Sequence, residues 1–176
     1  EEQHQQEGTY EVVIDSALTD GSLTYAEVFL PGESSEEILF TCYVCHPSMC
    51  NDNLSGVVLL TQLIKELQAR SRKYSYRFLF IPETIGAITW LAHNEHKVSE
   101  IKAGLVITCV GGPGPLTYKK TRRGDALIDQ VVEKVLFESG APYTLLDFFP
   151  SGSDERQFCS PGFNLPVGSL MRSHYT

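Results

Sequence analysis

The amino-acid sequence predicts an α/β protein, a three-layer sandwich in which a central, mostly parallel mixed sheet is flanked by helices, with a small β attachment at the N-terminus. From residue 36 onward, apolar strand-like segments alternate with helix-like segments, which is the order typical of a parallel sheet. Residues 8–33 differ, because two alternating segments there flank a turn. The chain has 176 residues, 42% of them hydrophobic and 20% charged, which is enough apolar material for one globular core.

The N-terminal region is predicted to form a β-hairpin. Residues 9–15 and 23–30 alternate apolar with polar side chains, and the pair Asp20-Gly21 between them favours a tight turn. We therefore assign residues 1–35 to part of a small β-rich insert or attachment, and residues 36–176 to the α/β core. The sequence has no initiator Met and stops without a terminal helix, so we expect the core to be an incomplete piece of a longer protein.

The core is predicted to begin with a buried strand, because residues 37–45 are apolar, β-branched and aromatic. Residues 51–55 supply capping side chains, and helical periodicity follows them. The same alternation continues along the chain. The predicted elements are strand 37–45, helix 55–69, strand 75–82, helix 85–94, strand 103–110, helix 125–139, strand 143–149 and strand 164–170.

Composition excludes some classes of partner. The net charge of −8 and the pI near 5.1 argue against nucleic acid, because phosphate binding requires clustered Lys and Arg. No apolar run reaches the roughly 18 to 20 residues of a membrane span, and the N-terminus lacks the regions of a signal peptide. We expect no membrane partner and a cytoplasmic location, and we leave assembly into a homo-oligomer open.

The five cysteines do not indicate a disulfide framework, because their number is odd and three of them crowd one strand and its loop. Cys42 and Cys45 have the spacing of a redox or zinc pair. Within a strand, however, residues three apart point to different sides. Buried structural thiols are the favoured interpretation.

Candidate site residues follow the predicted strands. His46 and Asp52 lie between the first core strand and its helix, and Glu83 follows the next strand. Ligands of open α/β sheets bind outside the carboxyl ends of strands, so His46 and Asp52 are candidates for a metal site, and Glu83 places a further carboxylate where a strand meets a helix. The alternatives are a loop histidine at position 46, a helix N-cap at Asp52, and a first-turn glutamate at Glu83 that complements the helix dipole.

Two further segments carry candidate residues. Asp154 lies in a mixed-charge segment, residues 153–156, which is either near a site or a surface loop with a local ion pair. Arg122 and Arg123 could clamp a carboxylate with two hydrogen bonds, or could lie on a solvated face. The glycine-rich loop 111–114 lacks the spacing of a nucleotide-binding motif.

Residues 45–57, 82–86 and 152–166 together resemble a bacterial family of aminopeptidase-like proteins. That family is related to the co-catalytic zinc aminopeptidases and the glutaminyl cyclases, and it often carries an inserted β domain. The segment Asp52-Asn53-Leu54-Ser55-Gly56 is similar to the Asp-Asn-x-Ser-Gly segment whose aspartate bridges two metals in the zinc aminopeptidases. The resemblance covers nearly the whole chain.

The resemblance implies a zinc cofactor of one or two ions, with His46 as a ligand and Asp52 as the bridge. Zinc accepts imidazole and carboxylate, and a metal pair about 3.5 to 4 Å apart activates a water. Glu83 would be the general base, and Asn51 or Asn53 would orient the carboxylate of Asp52. The implied substrate is a small peptide or aminoacyl compound, which Asp154, Arg122 and Arg123 would contact.

Three positions depart from the zinc aminopeptidase pattern. Thr84 stands where those enzymes have a second glutamate, Cys109 where they have a ligand aspartate, and Tyr43 where they have a strand histidine. His174 lies upstream of the position expected for the last histidine ligand. The resemblance implies an aminopeptidase-like zinc hydrolase, and these departures favour the alternative, a catalytically degenerate scaffold that binds a peptide or sugar-derived ligand. A third, non-enzymatic interpretation is an interaction domain that assembles through its β attachment.

Overall fold

The computed structural model of the chain describes residues 8–149 and 152–172, and within them it contains one seven-stranded sheet in the order β1-β3-β2-β4-β7-β5-β6. The strands are β1 (Ala26–Leu30), β2 (Glu37–Tyr43), β3 (Ser75–Ile81), β4 (Ile101–Ile107), β5 (Leu116–Lys119), β6 (Tyr143–Leu146) and β7 (Val167–Met171). The helices are α1 (Leu54–Gln68), α2 (Ile85–Asn94), α3 (Leu127–Glu138) and α4 (Glu155–Phe158), with a 3-10 helix at Glu95–Glu100. None of the helices in these residues is both long and apolar enough to cross a membrane.

The sheet is mixed and mostly parallel, as predicted. Strands β3, β2, β4 and β7 run parallel to one another, and β5 runs parallel to β6. Two pairings are antiparallel, β1 with β3 and β5 with β7. The four central parallel strands therefore end at one common edge of the sheet.

Helices cover both faces of this sheet, which confirms the three-layer sandwich. On one face, Leu60 of α1 packs with Phe78 and Ile107, and α3 packs beside it through residues such as Val132. On the opposite face, Trp90 of α2 packs in another apolar cluster. The chain moves from β2 to β3 on one side and then to β4 on the other side of β2. Crossover connections between parallel strands are right-handed. A helix that leads to a strand on one side of β2 and a helix that leads to a strand on the other side therefore lie on opposite faces of the sheet.

The predicted N-terminal hairpin is wrong. Residues 8–25 contain no strand, and β1 pairs with β3 as an edge strand of the main sheet. An isolated two-stranded hairpin is marginally stable in water, whereas pairing with β3 covers the exposed edge of an apolar strand. Whether residues 1–35 belong to an inserted β domain stays a prediction.

A buried arginine explains why β1 joins the sheet. Arg77 of β3 donates to both carboxylate oxygens of Glu37 at 2.6 Å and also pairs with Glu27 of β1. Trp90 Nε1 donates to the other oxygen of Glu27 at 3.0 Å. The guanidinium thus links three strands, and the indole links the same group to α2.

The predicted core elements are present, with shifted ends. Strand β4 begins two residues earlier than expected, and the last strand begins at Val167 rather than at residue 164. Helix α3 lies inside the predicted 125–139, and the segment predicted as strand 143–149 pairs only over Tyr143–Leu146. Strand β5 and the short helix α4 were not predicted, because four-residue elements carry too little periodicity.

Candidate functional site

The candidate site lies at the edge where the central parallel strands end. The loops after β2, β3 and β4 begin at residues 44, 82 and 108, and all leave the sheet at its carboxyl edge. The strand order reverses at β2, and such a reversal is the usual ligand-binding position of open α/β sheets. His46, Asp52 and Glu83 are all in these loops.

Asn53 joins two of the loops. Its Nδ2 donates to the Ile107 carbonyl at 2.7 Å, and its Oδ1 accepts from the backbone N–H groups of Gly56 at 3.1 Å and Cys109 at 3.2 Å. The bond from Gly56 makes Asn53 the N-cap of α1. The interpretation of Asp52 as only an N-cap is therefore wrong, since the neighbouring residue performs that role.

Two more side chains complete this junction, which we call the asparagine latch (Asn51, Asn53 and Ser55 with residues 107–111). Asn51 Oδ1 accepts from the Gly111 N–H at 2.8 Å. Ser55 Oγ accepts from the Val110 N–H at 3.1 Å and donates to the Asn51 carbonyl at 2.6 Å. Asn51 and Asn53 thus bond backbone groups of the β4 loop, so they orient Asp52 through the chain they hold and not by contact with its carboxylate.

His46 and Asp52 are exposed on the site side of this latch. His46 Nδ1 lies 3.7 Å from the Cys45 sulfur. The carboxylate of Asp52 faces Cys109, and their interaction, together with burial as the main cause, raises the pKa of the Cys109 thiol. The expected buried thiol is confirmed at Cys42 and is wrong at Cys45, which is exposed because the strand ends before it; the five cysteines are free.

Glu83 is half-buried in the turn between β3 and α2. Burial is the main cause that raises the pKa of Glu83, and the negative charges of Asp52 and Glu155 raise it further, while His46 and Arg156 oppose them. The loops that hold His46, Asp52 and Glu83 leave the sheet at the same carboxyl edge, and their joint role in one site stays a prediction. Glu83 precedes the first turn of α2 instead of forming part of it.

A second junction, which we call the carboxylate junction, joins residues 82–84 to residues 152–155. Asp154 Oδ1 accepts from the Thr84 N–H at 2.7 Å. Next to it, Glu155 Oε1 accepts from Lys119 Nζ at 2.7 Å, and both of these side chains are 2% exposed or less. The alternative of a solvated surface loop at residues 153–156 is therefore wrong, since Asp154 and Glu155 are buried.

The carboxylate junction is not fully satisfied. Ser153 Oγ, Asp154 Oδ2 and Glu155 Oε2 are buried and have no hydrogen-bond partner within the part of the chain that the structure describes. Burial, with the charges of Glu83 and Glu155, raises the pKa of Asp154 to about 7, although the bond from Thr84 opposes this. The sequence did not single out Lys119, and no local pattern marks a lysine in a four-residue strand as buried.

Of the two candidate arginines, Arg123 lies away from the candidate site. Arg122 and Arg123 are both exposed. Arg123 donates to the carbonyl of Asn164 at 2.6 Å, and Asn164 precedes β7, at the opposite end of that strand from the candidate site. The structure thus does not bring Arg123 to the other site residues, and substrate contact by the two arginines stays a prediction.

A cavity of about 1030 Å³ adjoins the asparagine latch. Cys50, Asn51 and Ser55 line it together with exposed apolar side chains of α1, among them Leu54 and Val58. None of His46, Asp52 or Glu83 lines it. The cavity therefore lies beside the candidate site on the α1 side, and Arg172 is the charged residue that lines it.

The donor set suits zinc in part. Imidazole and carboxylate are zinc ligands, and a cation would relieve both the repulsion among the carboxylates and the unpaired oxygens of the carboxylate junction. Within residues 8–149 and 152–172, however, no group of three or more His, Cys, Asp or Glu side chains is arranged to hold a metal ion. His46 and Asp52 therefore fit as part of a ligand set, and His174 lies outside the described residues.

Comparisons with known proteins agree with this fold. A family model described as "Domain of unknown function (DUF4910)" matches residues 7–176. A protein of Clostridium acetobutylicum, named "Putative polysaccharide biosynthesis protein with aminopeptidase-like domain", is 66% identical over 166 residues, which cover 94% of this chain and 38% of that protein. The chain thus spans little more than a third of the length of this relative.

Solved structures show the same architecture. A crystal structure described as a "putative peptidase" from Clostridium acetobutylicum has a TM-score of 0.88 and 65% identity, covering 93% of this chain and 39% of that one. A glutaminyl cyclase from an Acidobacteriales bacterium has a TM-score of 0.69 and 17% identity, covering 85% of this chain and 58% of that one. The aminopeptidase-like α/β fold expected from the resemblance is confirmed.

Proposed function

The chain belongs to the DUF4910 family, and we propose that it forms the catalytic part of a zinc-dependent, aminopeptidase-like hydrolase. The reaction would cleave an amide bond next to a free or modified amine in a small peptide or aminoacyl substrate. One observation carries this proposal. Glu83 is a half-buried carboxylate directly after β3, at the same carboxyl edge of the sheet as the loop after β2 that contains His46 and Asp52. Burial in the first place, and then the charges of Asp52 and Glu155, raise its pKa.

In this proposal His46 and Asp52 hold the metal, with further ligands outside the described residues. Zinc, when bound, lowers the pKa of water and polarises a carbonyl. Glu83 acts as the general base, which takes a proton from the attacking water and delivers it to the leaving nitrogen. Its raised pKa suits this role, because a base and acid works best when its pKa approaches the working pH.

The names of the relatives support the class of activity and leave the substrate open. The words "aminopeptidase-like" and "peptidase" refer to proteins 66% and 65% identical to this chain. The words "polysaccharide biosynthesis" are part of one of those names. Because the chain covers only 38% of that relative, the activity and substrate of a whole protein remain part of our proposal.

The second candidate is a scaffold without turnover that binds a peptide or a sugar-derived ligand. Cys109, at the position of a ligand aspartate, favours it. Only the thiolate form of a cysteine binds zinc. Burial raises the pKa of Cys109, so its thiol stays protonated in the absence of a metal and is a poorer ligand than an aspartate. Thr84, in place of a second glutamate, removes another ligand.

Metal content and turnover distinguish the two candidates. We expect the protein to contain zinc by elemental analysis and to release chromogenic amines from aminoacyl substrates. His46→Ala and Asp52→Asn should both lower the zinc content while the protein stays folded by circular dichroism. Unchanged zinc in both folded variants would show that the site assignment is wrong, and zinc without turnover of any aminoacyl substrate would favour the scaffold.

Glu83→Gln tests the base directly. We expect it to keep the metal and to lower kcat on the order of 10²-fold or more, because a general base contributes at least that factor. Glu95→Gln, an exposed glutamate in the 3-10 helix, is the matched control and should leave kcat unchanged. Loss of zinc in Glu83→Gln would make Glu83 a ligand instead of a base.

The partner assignments stay proposals. The acidic composition argues against nucleic acid, and we propose small molecules as the ligands of this chain. Sedimentation of the protein decides between a monomer and a homo-oligomer, and a chain that assembles without binding metal would support the interaction-domain interpretation.

A further inference from the structure

We propose that Asp154 is a positioning residue, which holds the backbone turn at Thr84 and thereby directs Glu83 into the candidate site. The inference rests on the proposed function, because the direction of the Glu83 side chain affects turnover only if Glu83 is the general base. It assigns Asp154 a role different from the substrate contact that the sequence suggests.

The turn at Thr84 has an unfavourable backbone conformation. Thr84 has φ 62° and ψ −66°, and the Ile85 N–H donates to the Glu83 carbonyl at 2.7 Å across it. These features define a γ-turn with positive φ, the rare and strained type. Threonine is β-branched, so a positive φ is especially costly for it. Such a residue keeps this conformation only where its surroundings enforce it.

Asp154 supplies one such restraint from 70 residues away in the sequence. Its Oδ1 accepts from the Thr84 N–H at 2.7 Å, a short bond to a carboxyl group. Asp154 is fully buried, and it leads into α4. The position of α4 is itself set by packing, since the Phe158 ring meets the Trp90 ring of α2 edge-on at 6.4 Å between centroids.

The chain on both sides of the turn is also held. Pro82 fixes its own φ before Glu83. After the turn, the Gly86 N–H donates to the Pro82 carbonyl at 2.9 Å, and a Cβ at Gly86 would lie 2.7 Å from the Ile81 Cβ. Helix α2 therefore begins in close contact with the end of β3 and leaves no room for the turn to relax by a shift of the helix.

Glu83 occupies the corner that these contacts define. The direction of its side chain depends on the backbone of residues 82–84, and a return of Thr84 to negative φ would rotate the preceding peptide group. Glu83 would then move relative to Asp52 and His46. Small displacements of a catalytic group lower the rate strongly, so the bond from Asp154 has a consequence for turnover as well as for folding.

The two carboxylate oxygens of Asp154 differ in their contacts, and this difference allows the positioning role to be tested separately from substrate contact. Oδ1 accepts from Thr84, whereas Oδ2 has no hydrogen-bond partner in the described part of the chain. An asparagine keeps a carbonyl oxygen that can accept from the Thr84 N–H and removes the charge. An alanine removes both. Asp154→Asn and Asp154→Ala therefore form a matched pair.

The first measurement is hydrogen exchange of the Thr84 amide in the wild-type protein and in both variants. The amides at the start of a helix have no intrahelical partner, so protection of Thr84 reports the bond to Asp154. We expect protection in the wild type and in Asp154→Asn, and exchange faster on the order of 10-fold or more in Asp154→Ala. An unprotected Thr84 amide in the wild type would overturn the proposal, even if a variant failed to fold.

The second measurement is the kinetics of amine release. We expect Asp154→Ala to lower kcat on the order of 10-fold to 10²-fold with little change in KM and in zinc content, and Asp154→Asn to keep most of kcat. A role in substrate binding would instead raise KM in both variants. Equal losses of kcat in the two variants, with Thr84 exchange unchanged, would overturn the positioning role.

Thr84→Gly provides a rescue. Glycine adopts positive φ at no steric cost, so the turn persists better without its restraint. We expect Thr84→Gly to restore part of the kcat that Asp154→Ala loses, which is a non-additive effect in a double-mutant cycle. Additive losses would count against the proposal. If the wild type itself releases no amine, the proposed function fails, and hydrogen exchange at Thr84 still decides the role of Asp154.

Discussion

The asparagine latch and the carboxylate junction lie at the same edge of the sheet and differ in how their polar groups are satisfied. In the latch, the side-chain amide of Asn53 makes three hydrogen bonds, and Asn51 and Ser55 bond the facing loop. In the carboxylate junction, three buried oxygens of residues 153–155 lack a hydrogen-bond partner among the described residues, and Thr84 is strained.

This difference distinguishes a polar cluster whose hydrogen bonds are made from one with buried oxygens that lack partners. A network of hydrogen bonds fixes the arrangement of the loops that it joins, as buried Asn53 and half-buried Asn51 and Ser55 do for α1 and the β4 loop. Unpaired buried carboxylates and a strained turn cost stability, and they cluster at sites where ligands or reactions require them. The comparison therefore marks the carboxylate junction as the costly part of this edge, and its contact with the residue after Glu83 agrees with the positioning role proposed for Asp154.

Loss of the Lys119 ammonium group, which pairs with Glu155 of the carboxylate junction, should have the largest effect on stability. Lys119→Met leaves Glu155 buried without its ion pair, so we expect the free energy of unfolding at pH 7 to fall by about 3 to 5 kcal/mol. Urea denaturation measures this change. The double variant Lys119→Met with Glu155→Gln should recover most of the loss, and a double variant as unstable as the single one would show that the charge of Glu155 is not the cause.

The latch should respond to the loss of one side chain in a smaller but clear way. Asn53→Ala leaves the Gly56 and Cys109 N–H groups and the Ile107 carbonyl without their partner, which should lower the free energy of unfolding by about 2 to 3 kcal/mol. Ser55→Ala, which removes two bonds at a half-buried position, should cost about 1 kcal/mol. Equal effects of the two variants would contradict the central place of Asn53.

The smallest expected effect is a pH dependence that belongs to the carboxylate junction alone. Burial raises the pKa of Asp154 from 3.8 to about 7, so between these values the folded protein binds a proton that the unfolded chain has lost. The contribution of Asp154 to the free energy of unfolding of the chelator-treated protein should therefore be greatest below about pH 4. It should fall as the pH rises toward 7. We expect the free energy of unfolding to fall on the order of 1 to 2 kcal/mol over this range. This is less than the full pKa difference would give, because water that enters on ionisation stabilises the carboxylate.

Asp154→Asn should flatten this part of the pH profile, and Asp147→Asn, at an exposed aspartate, should leave it as in the wild type. Denaturant unfolding at several pH values between 4 and 7 makes the comparison. A profile for Asp154→Asn that keeps the wild-type slope would assign the pH dependence to another group.

Local sequence patterns predicted most of the core and the loops at the carboxyl edge of the sheet that contain the candidate residues. The apolar run at β2, the capping residues before α1 and the apolar run at β3 are short-range signals, and the loops that follow them contain His46, Asp52 and Glu83. The capping residues were expected within residues 51–55, with Asp52 as an N-cap the alternative to its role as a ligand, and the N-cap is Asn53, because both residue types can cap a helix and only the neighbouring loop selects between them. Arg123 faces the opposite end of β7, which no pattern around residue 123 indicates.

The sequence by itself determined the alternation of strands and helices, and hence the layered sheet with polar loops at one edge, because burial of apolar side chains follows periodicities that neighbouring residues set. Only the tertiary structure decided that β1 would join this sheet, that Lys119 would pair with Glu155 in the interior, and that Asp154 would hold Thr84. Each of these contacts joins residues far apart in the chain, and its partner is chosen by packing and by the need to satisfy buried polar groups, which local patterns do not encode.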